Sequence, residues 1–122
     1  MLRILSKVDL SIIIPSFNTK ALLERCLTSV FVNLNALAIN SEVIVVDNAS
    51  EDGSQDIVRK KFPQVHLVCN KQNVGYGKAN NQGITMAKGE YVLLLNSDIV
   101  VQNDAIGALY RFLSVNDQAF AG

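Results

Sequence analysis

YVLLLNSDIV, residues 91–100, is an apolar run broken by Asn96-Ser97-Asp98 and resumed at Ile99, Val100 and Val101. If the three polar residues form a hairpin turn, the two apolar runs pair antiparallel. If the first run ends there, it is a strand whose C-terminal end carries a carboxylate toward something polar. Tight hairpin turns favour Gly or Asn-Gly at their central positions, and no Gly lies between Glu90 and Ala105. The strand-end reading is therefore the stronger one.

Three further runs resemble residues 91–95. LSIIIP (10–15), EVIVVD (42–47) and VHLVC (65–69) are short, nearly continuous and β-branched, as expected of strands covered on both faces. Between them the apolar spacing turns helical. Leu22, Leu23, Cys26, Leu27, Val30 and Phe31 recur at three-to-four-residue intervals, as do Ile57, Val58 and Phe62 after Ser54, a candidate cap. A third helix is expected over 78–87, closed by Lys88-Gly89 as a glycine stop, and a fourth from Asp104 as N-cap through Leu113. Strands alternating with helices imply an α/β fold: an open, mainly parallel sheet with helices on both faces.

Composition limits what such a fold is for. The 122 residues are 49% hydrophobic, enough for one buried core, and are read as a single domain over 1–122. Eleven basic residues balance eleven acidic ones, so nothing favours nucleic acid or an anionic membrane as partner. Cys26 and Cys69 have no metal-ligand or CxxC spacing and are read as reduced core cysteines. MLRILSKVD is too short and interrupted for a signal peptide, and no apolar run reaches the roughly 20 residues of a membrane span. The expectation is a cytoplasmic domain, at most at the inner face of the membrane.

In an open parallel sheet ligands bind outside the C-terminal ends of the strands. The residues there are Ser16-Phe17-Asn18, Asp47-Asn48-Ala49-Ser50, Asn70 to Gly77, and Asn96-Ser97-Asp98. All four ends are polar and two carry a carboxylate. An acid facing a crevice that holds phosphates is where a hard divalent cation bridging protein to diphosphate would sit.

LSIIIPSFN, EVIVVDNASEDGS, NKQNVGYGKANNQGI and GEYVLLLNSDIVV, in this order, resemble the N-terminal half of a family 2 glycosyltransferase of the GT-A fold, closest to its bacterial rhamnosyltransferase-like branch. The resemblance implies inverting transfer of a sugar from a UDP- or dTDP-sugar to an acceptor hydroxyl on a glycan or lipid-linked molecule, in cell-surface polysaccharide synthesis. It implies that Asp47 and Asn48 meet the nucleobase or ribose, with Pro15, Ser16 and Asn18 beside them. Asn73, Gly75, Lys78 and Asn80 line the nucleotide-sugar site. Asn96-Ser97-Asp98 stands at the family's DxD motif, so Asp98 ligates Mg²⁺ or Mn²⁺, while Asn96 departs from the pattern and removes one formal charge.

Other readings are weaker. GYGKAN (75–80) has Asn80 where a dinucleotide fingerprint needs Gly or Ala, and it follows the third strand. His66 lies within a strand and is read as structural, and Arg59-Lys60-Lys61 as a solvated helix face. A receiver-type signalling module lacks its acidic pair after the first strand. A non-catalytic nucleotide- or protein-binding domain is the alternative, because no residue identifies a general base. By resemblance the base lies beyond Gly122, the chain is an incomplete transferase domain, and the fourth strand sits beside the first with an open edge that invites a homodimer.

Overall fold

The computed structural model describes residues 7–116; most of MLRILSKVD, and the residues leading up to Gly122, lie outside them. Four strands, β1 (Val8–Ser16), β2 (Ser41–Asp47), β3 (His66–Cys69) and β4 (Gly89–Leu94), alternate with four helices, α1 (Lys20–Asn35), α2 (Ser54–Lys61), α3 (Tyr76–Met86) and α4 (Ala105–Val115). The strands form one sheet in the order β3-β2-β1-β4, every pair parallel. As expected, β4 lies beside β1 on the side away from β2. The hairpin reading of 91–100 is excluded, since no strand returns antiparallel to β4 among the described residues.

Alternate residues of the central strands feed two cores. Leu10, Ile12 and Ile14 of β1 and Val43 and Val45 of β2 pack against the apolar stripe of α1, against Val58 and Phe62, and against Ile106 of α4. Ile13, Ile44 and Val46 face the other way and pack against Ala79 of α3. Helices thus cover both faces, α1, α2 and α4 on one and α3 on the other. Phe31 stacks on Phe62 with centroids 5.9 Å apart, joining α1 to the end of α2, and Tyr91 meets Tyr110 edge-on at 5.8 Å, joining β4 to α4.

Coverage of all four strands on both faces does not hold at the sheet's margins. β1 and β2 are buried almost throughout, and α3 packs chiefly against those two. On β4, Val92 and Leu94, paired with Ser11 and Ile13, stay 42% and 45% exposed. Apolar composition does not distinguish a central strand from an edge strand that one helix fails to cover.

The helix ends also differ from expectation. Gly53, not Ser54, caps α2, at a left-handed φ of 90°, and Ser54 is the first helical residue, its N–H and hydroxyl both bonded to Asp52. Asp104 does precede α4, but with no capping bond: its carboxylate pairs with Arg111 at 2.7 Å. Lys88-Gly89 is not a glycine stop. α3 ends at Met86 with Ala87 extended, and Gly89 opens β4. A Cβ on Gly89 would stand 2.5 Å from the Ser11 nitrogen, so the glycine serves close strand contact. There Ser11 Oγ accepts from Gly89 N–H at 2.8 Å and donates to Glu42 at 2.6 Å, which accounts for a buried serine in an apolar strand.

Cys26 is buried as expected, whereas Cys69, at the end of a margin strand, is exposed; both are free thiols. His66 begins β3, exposed and 3.9 Å from Glu42, away from the C-terminal edge. Among the described residues no helix is long and apolar enough to cross a membrane.

Candidate functional site

All four strands end at one edge, and the backbone ladder carries on into the loops: Asn48 N–H bonds to the Ser16 carbonyl, Asn70 N–H to Asp47 and Leu95 N–H to Ile13. This brings Ser16, Asp47, Asn70 and Asn96 to one rim. A cleft of about 220 Å³ opens there, lined by Pro15, Ser16, Phe17, Asn48, Asn73, Gly75 and Tyr76. Five of the residues expected from sequence therefore share one cavity. Larger cavities lie elsewhere: one of about 760 Å³ runs between the outer side of α1 and residues 100–103.

The loop after β2 is built around Asp47. Its side chain is 1% exposed, and its carboxylate accepts from Ser50 N–H at 2.8 Å, Ser50 Oγ at 2.6 Å and Gln55 Nε2 at 2.8 Å. Asp47 shapes the rim by pinning the 47–50 turn, in which Ala49 holds a left-handed φ of 63°. The turn after β1 is pinned to it. Asn18, also left-handed at φ 50°, accepts from Glu51 N–H and donates its own N–H to Ser50 Oγ. Asp52 caps α1 by accepting Lys20 N–H at 2.9 Å. Burial works to raise its pKa, but the Ser54 hydroxyl and the Lys20 and Ser54 N–H groups outweigh it and hold the carboxyl below 3.8.

Asn48 ties the third loop in. Its Nδ2 donates to the Gly75 carbonyl at 3.3 Å, and its Oδ1 accepts from Asn70 Nδ2 at 3.0 Å and Val74 N–H at 3.4 Å. Asn70 and Gln82 exchange two amide hydrogen bonds at 2.8 and 2.9 Å. The Asn73 side chain accepts Gly75 N–H, and Gly75, at φ 91°, starts α3 at the rim. Where a Gly75 or Gly77 Cβ would stand there is open space, so a ligand has room against this backbone.

The fourth end joins through hydroxyls. Thr19 Oγ1 lies 3.1 Å from Ser16 Oγ and 3.0 Å from Ser97 Oγ, and Tyr76 OH donates to Asn96 Oδ1 at 2.6 Å. Asn96-Ser97-Asp98 is both a turn and a strand end, because Ile99 N–H bonds back to the Asn96 carbonyl. Asp98 is exposed, and no described residue hydrogen-bonds its carboxylate. Its charge reaches Cys26: burial first, then Asp98, pushes that thiol up to about 11.

Two expected residues sit apart. Lys78 lines a groove on the outer side of α3 with Val74, Asn81, Gln82 and Thr85. Asn80 is 6% exposed, on the inner side of α3, with Oδ1 unpartnered. Thr19, Asp52, Gln55 and Gln82 build the rim but were not singled out from sequence, and Ser50, Asn70 and Tyr76 were read only as part of the strand-end loops; polarity near strand ends was the available signal.

Among the described residues no three His, Cys, Asp or Glu side chains gather to hold a metal ion. One exposed carboxylate beside a hydroxyl and a carboxamide still fits a hard cation that takes one or two protein oxygens and the rest from phosphate and water.

Residues 11–122 match the family described as Glycosyl transferase family 2. The chain is 36% identical over 113 residues to a poly(ribitol-phosphate) beta-glucosyltransferase of Bacillus spizizenii, covering 89% of this chain and 18% of that protein. It is 32% identical over 114 residues to the putative teichuronic acid biosynthesis glycosyltransferase TuaG of Bacillus subtilis, covering 91% and 44%. Among solved structures it resembles S. aureus TarS 1–349 in complex with UDP-GlcNAc, with a TM-score of 0.76 and 26% identity over 90% of this chain and 32% of that one. It also resembles a Pyrobaculum calidifontis mannosyltransferase in complex with GDP-Man and Mn²⁺, with a TM-score of 0.77 and 25% identity over 90% and 33%. The chain thus spans between 18% and 44% of the length of these relatives.

Proposed function

The chain belongs to glycosyl transferase family 2, and from that premise we propose that it is the donor-binding part of an inverting glycosyltransferase that takes a UDP- or dTDP-sugar and serves cell-surface polysaccharide synthesis. The observation that carries the reading is the single rim on which four strand ends converge, with a cleft at one end and, at the other, Asp98, exposed and without a hydrogen-bond partner among the described residues. The cleft, about 220 Å³, is smaller than the roughly 300–1,000 Å³ that buries a drug-sized ligand. It takes the nucleoside alone, with Pro15, Ser16, Asn48, Asn73 and Gly75 around it. Asp47 and Asn18 hold the walls.

From the cleft the diphosphate runs over the α3 N-terminus toward Asn96, Ser97 and Asp98, where backbone N–H groups favour negative charge. Asp98 would hold Mg²⁺ or Mn²⁺ at this end of the rim, where the ion would supply positive charge to a departing nucleoside diphosphate. Lys78 and Asn80 belong to the walls of α3 in this reading, not to the cleft.

The acceptor is a glycan or lipid-linked hydroxyl, and the base that takes its proton lies outside residues 1–122, as the chain's small share of its relatives' length supports. Transfer from a nucleotide sugar places the reaction in the cytoplasm, at the membrane's inner face if the acceptor is lipid-linked. The rhamnosyltransferase-like reading of the motifs makes dTDP-rhamnose one donor to try; UDP-glucose and UDP-GlcNAc are others. The open edge of β4 offers a second copy a strand to pair with, which light scattering reads as a dimer.

Titration calorimetry of the folded chain with UDP, dTDP and GDP, each with EDTA, Mg²⁺ or Mn²⁺, tests the reading. A pyrimidine diphosphate that binds weakly and more tightly with metal supports it. No binding under any of these conditions overturns it.

A further inference from the structure

Tyr76 and Asn96 meet across the rim, the phenol hydroxyl donating to Asn96 Oδ1 at 2.6 Å. Both partners stand on fixed backbone. On the α3 side Gly75 is held through its N–H by Asn73, and through its carbonyl by Asn48 Nδ2 and Ala79 N–H. On the β4 side the Asn96 carbonyl accepts Ile99 N–H at 3.2 Å and the Cys26 thiol at 3.7 Å. The phenol takes one lone pair of Oδ1 and fixes the carboxamide, whose Nδ2 is the donor it can offer a ligand, since no described residue accepts from it. A carboxamide nitrogen donates hydrogen bonds and has no lone pair for a cation.

The geometry points to Tyr76 as a positioning residue that turns Asn96 into a hydrogen-bond donor toward a diphosphate oxygen of the ligand, leaving Asp98 as the protein's cation ligand at this end of the rim. The substitution of Asn for Asp at position 96 then exchanges one metal–oxygen contact for one direct hydrogen bond to phosphate. This inference rests on the nucleotide-sugar reading of the rim. Tyr76, 57% exposed, works through Asn96 and not by touching the phosphate.

The test uses the 122-residue chain with UDP, uridine and inorganic pyrophosphate as probes. In EDTA, Asn96→Ala and Asn96→Asp are expected to weaken UDP and pyrophosphate about tenfold, the loss of one hydrogen bond to a charged group, and to leave uridine unchanged. Tyr76→Phe is expected to weaken UDP by about threefold, and by nothing further when Asn96 is already Ala, as for residues that act as a unit. In Mn²⁺, Asn96→Asp recovers UDP affinity while Tyr76→Phe does not. Equal effects of Tyr76→Phe with Asn96 or Ala at position 96, or unchanged UDP affinity in Asn96→Asp under EDTA, would overturn the assignment. The ligand-free chain gives a separate readout: the Asn96 side-chain NH₂ signals in ¹⁵N NMR are expected to shift and broaden in Tyr76→Phe, and unmoved signals contradict the positioning role. If wild-type chain binds no probe while those signals do shift, the nucleotide reading fails and the positioning stands.

Discussion

Asp47 and Asp98 stand at or just beyond the ends of β2 and β4, strands that flank β1, on one rim, yet the chain treats them oppositely. Asp47 closes β2, is 1% exposed, and has its carboxylate filled by Ser50 and Gln55. Asp98 follows β4, is exposed, and has no hydrogen-bond partner among the described residues. The difference teaches that a carboxylate at a strand end is either part of the wall or part of the chemistry, and that its partners decide which. A filled carboxylate holds a loop against the entropy of ordering it, while an empty one is free for a cation.

Breaking the wall has the largest expected effect. Asp47→Ala leaves the half-buried Ser50 and Gln55 donors without a charged acceptor and is expected to cost about 2 kcal/mol of stability, read by urea denaturation. It should also weaken nucleoside binding in EDTA, because the 47–50 turn borders the cleft. Asp47→Asn does not rescue it fully, since an amide nitrogen placed at Oδ2 would face two donors. Asp98→Ala, by contrast, should change stability by less than about 0.5 kcal/mol, as at other surface positions.

A smaller change sharpens the contrast from the same turn. Ala49 holds a left-handed φ that costs a non-glycine residue roughly 1–2 kcal/mol, against a chain-entropy cost of roughly 0.5–1 kcal/mol for glycine. Ala49→Gly is thus expected to stabilise the chain by about 0.5 kcal/mol in the same denaturation measurement. The turn tolerates the strain because Asp47 over-determines it, so the gain should shrink when Asp47 is already Ala.

Acid separates Asp52 from the rest. Its folded-state pKa lies below the ordinary 3.8, so its bonds to Lys20 and Ser54 contribute stability above 3.8 that is lost as the pH falls through the lower folded value. Asp52→Asn should flatten that part of the acid limb, monitored by circular dichroism against pH. Among thiols the expected effect is kinetic only. Iodoacetamide at pH 8 should label exposed Cys69 well before Cys26, whose pKa burial and Asp98 push up to about 11; equal rates on intact protein would contradict the burial.

The strand runs, their parallel order and the convergence of Ser16, Asp47 and Asn96 on one edge were legible because period and alternation encode them directly. The pairings that finish the rim were not. Asn70 meets Gln82 across 12 residues, Tyr76 meets Asn96 across 20 and Thr19 meets Ser97 across 78, and spacing alone carries no trace of such contacts. Ser54 looked like a cap because its hydroxyl type suits one, but Gly53 takes the position and Asp52 takes the hydroxyl. Lys78 follows the glycines in sequence, but the groove it lines is the one with Val74, Asn81, Gln82 and Thr85 and not the cleft, a separation that spacing does not show.

The division between wall and chemistry is tested most directly by titrating UDP into wild type and Asp98→Ala, each in EDTA and in Mn²⁺. Mn²⁺ is expected to tighten UDP binding to the wild type by about tenfold or more, the worth of at least one charge-assisted contact, and to leave Asp98→Ala at its EDTA affinity with an unchanged denaturation midpoint. A folded Asp98→Ala chain that keeps the full Mn²⁺ enhancement would contradict that division and reduce Asn96-Ser97-Asp98 to a turn.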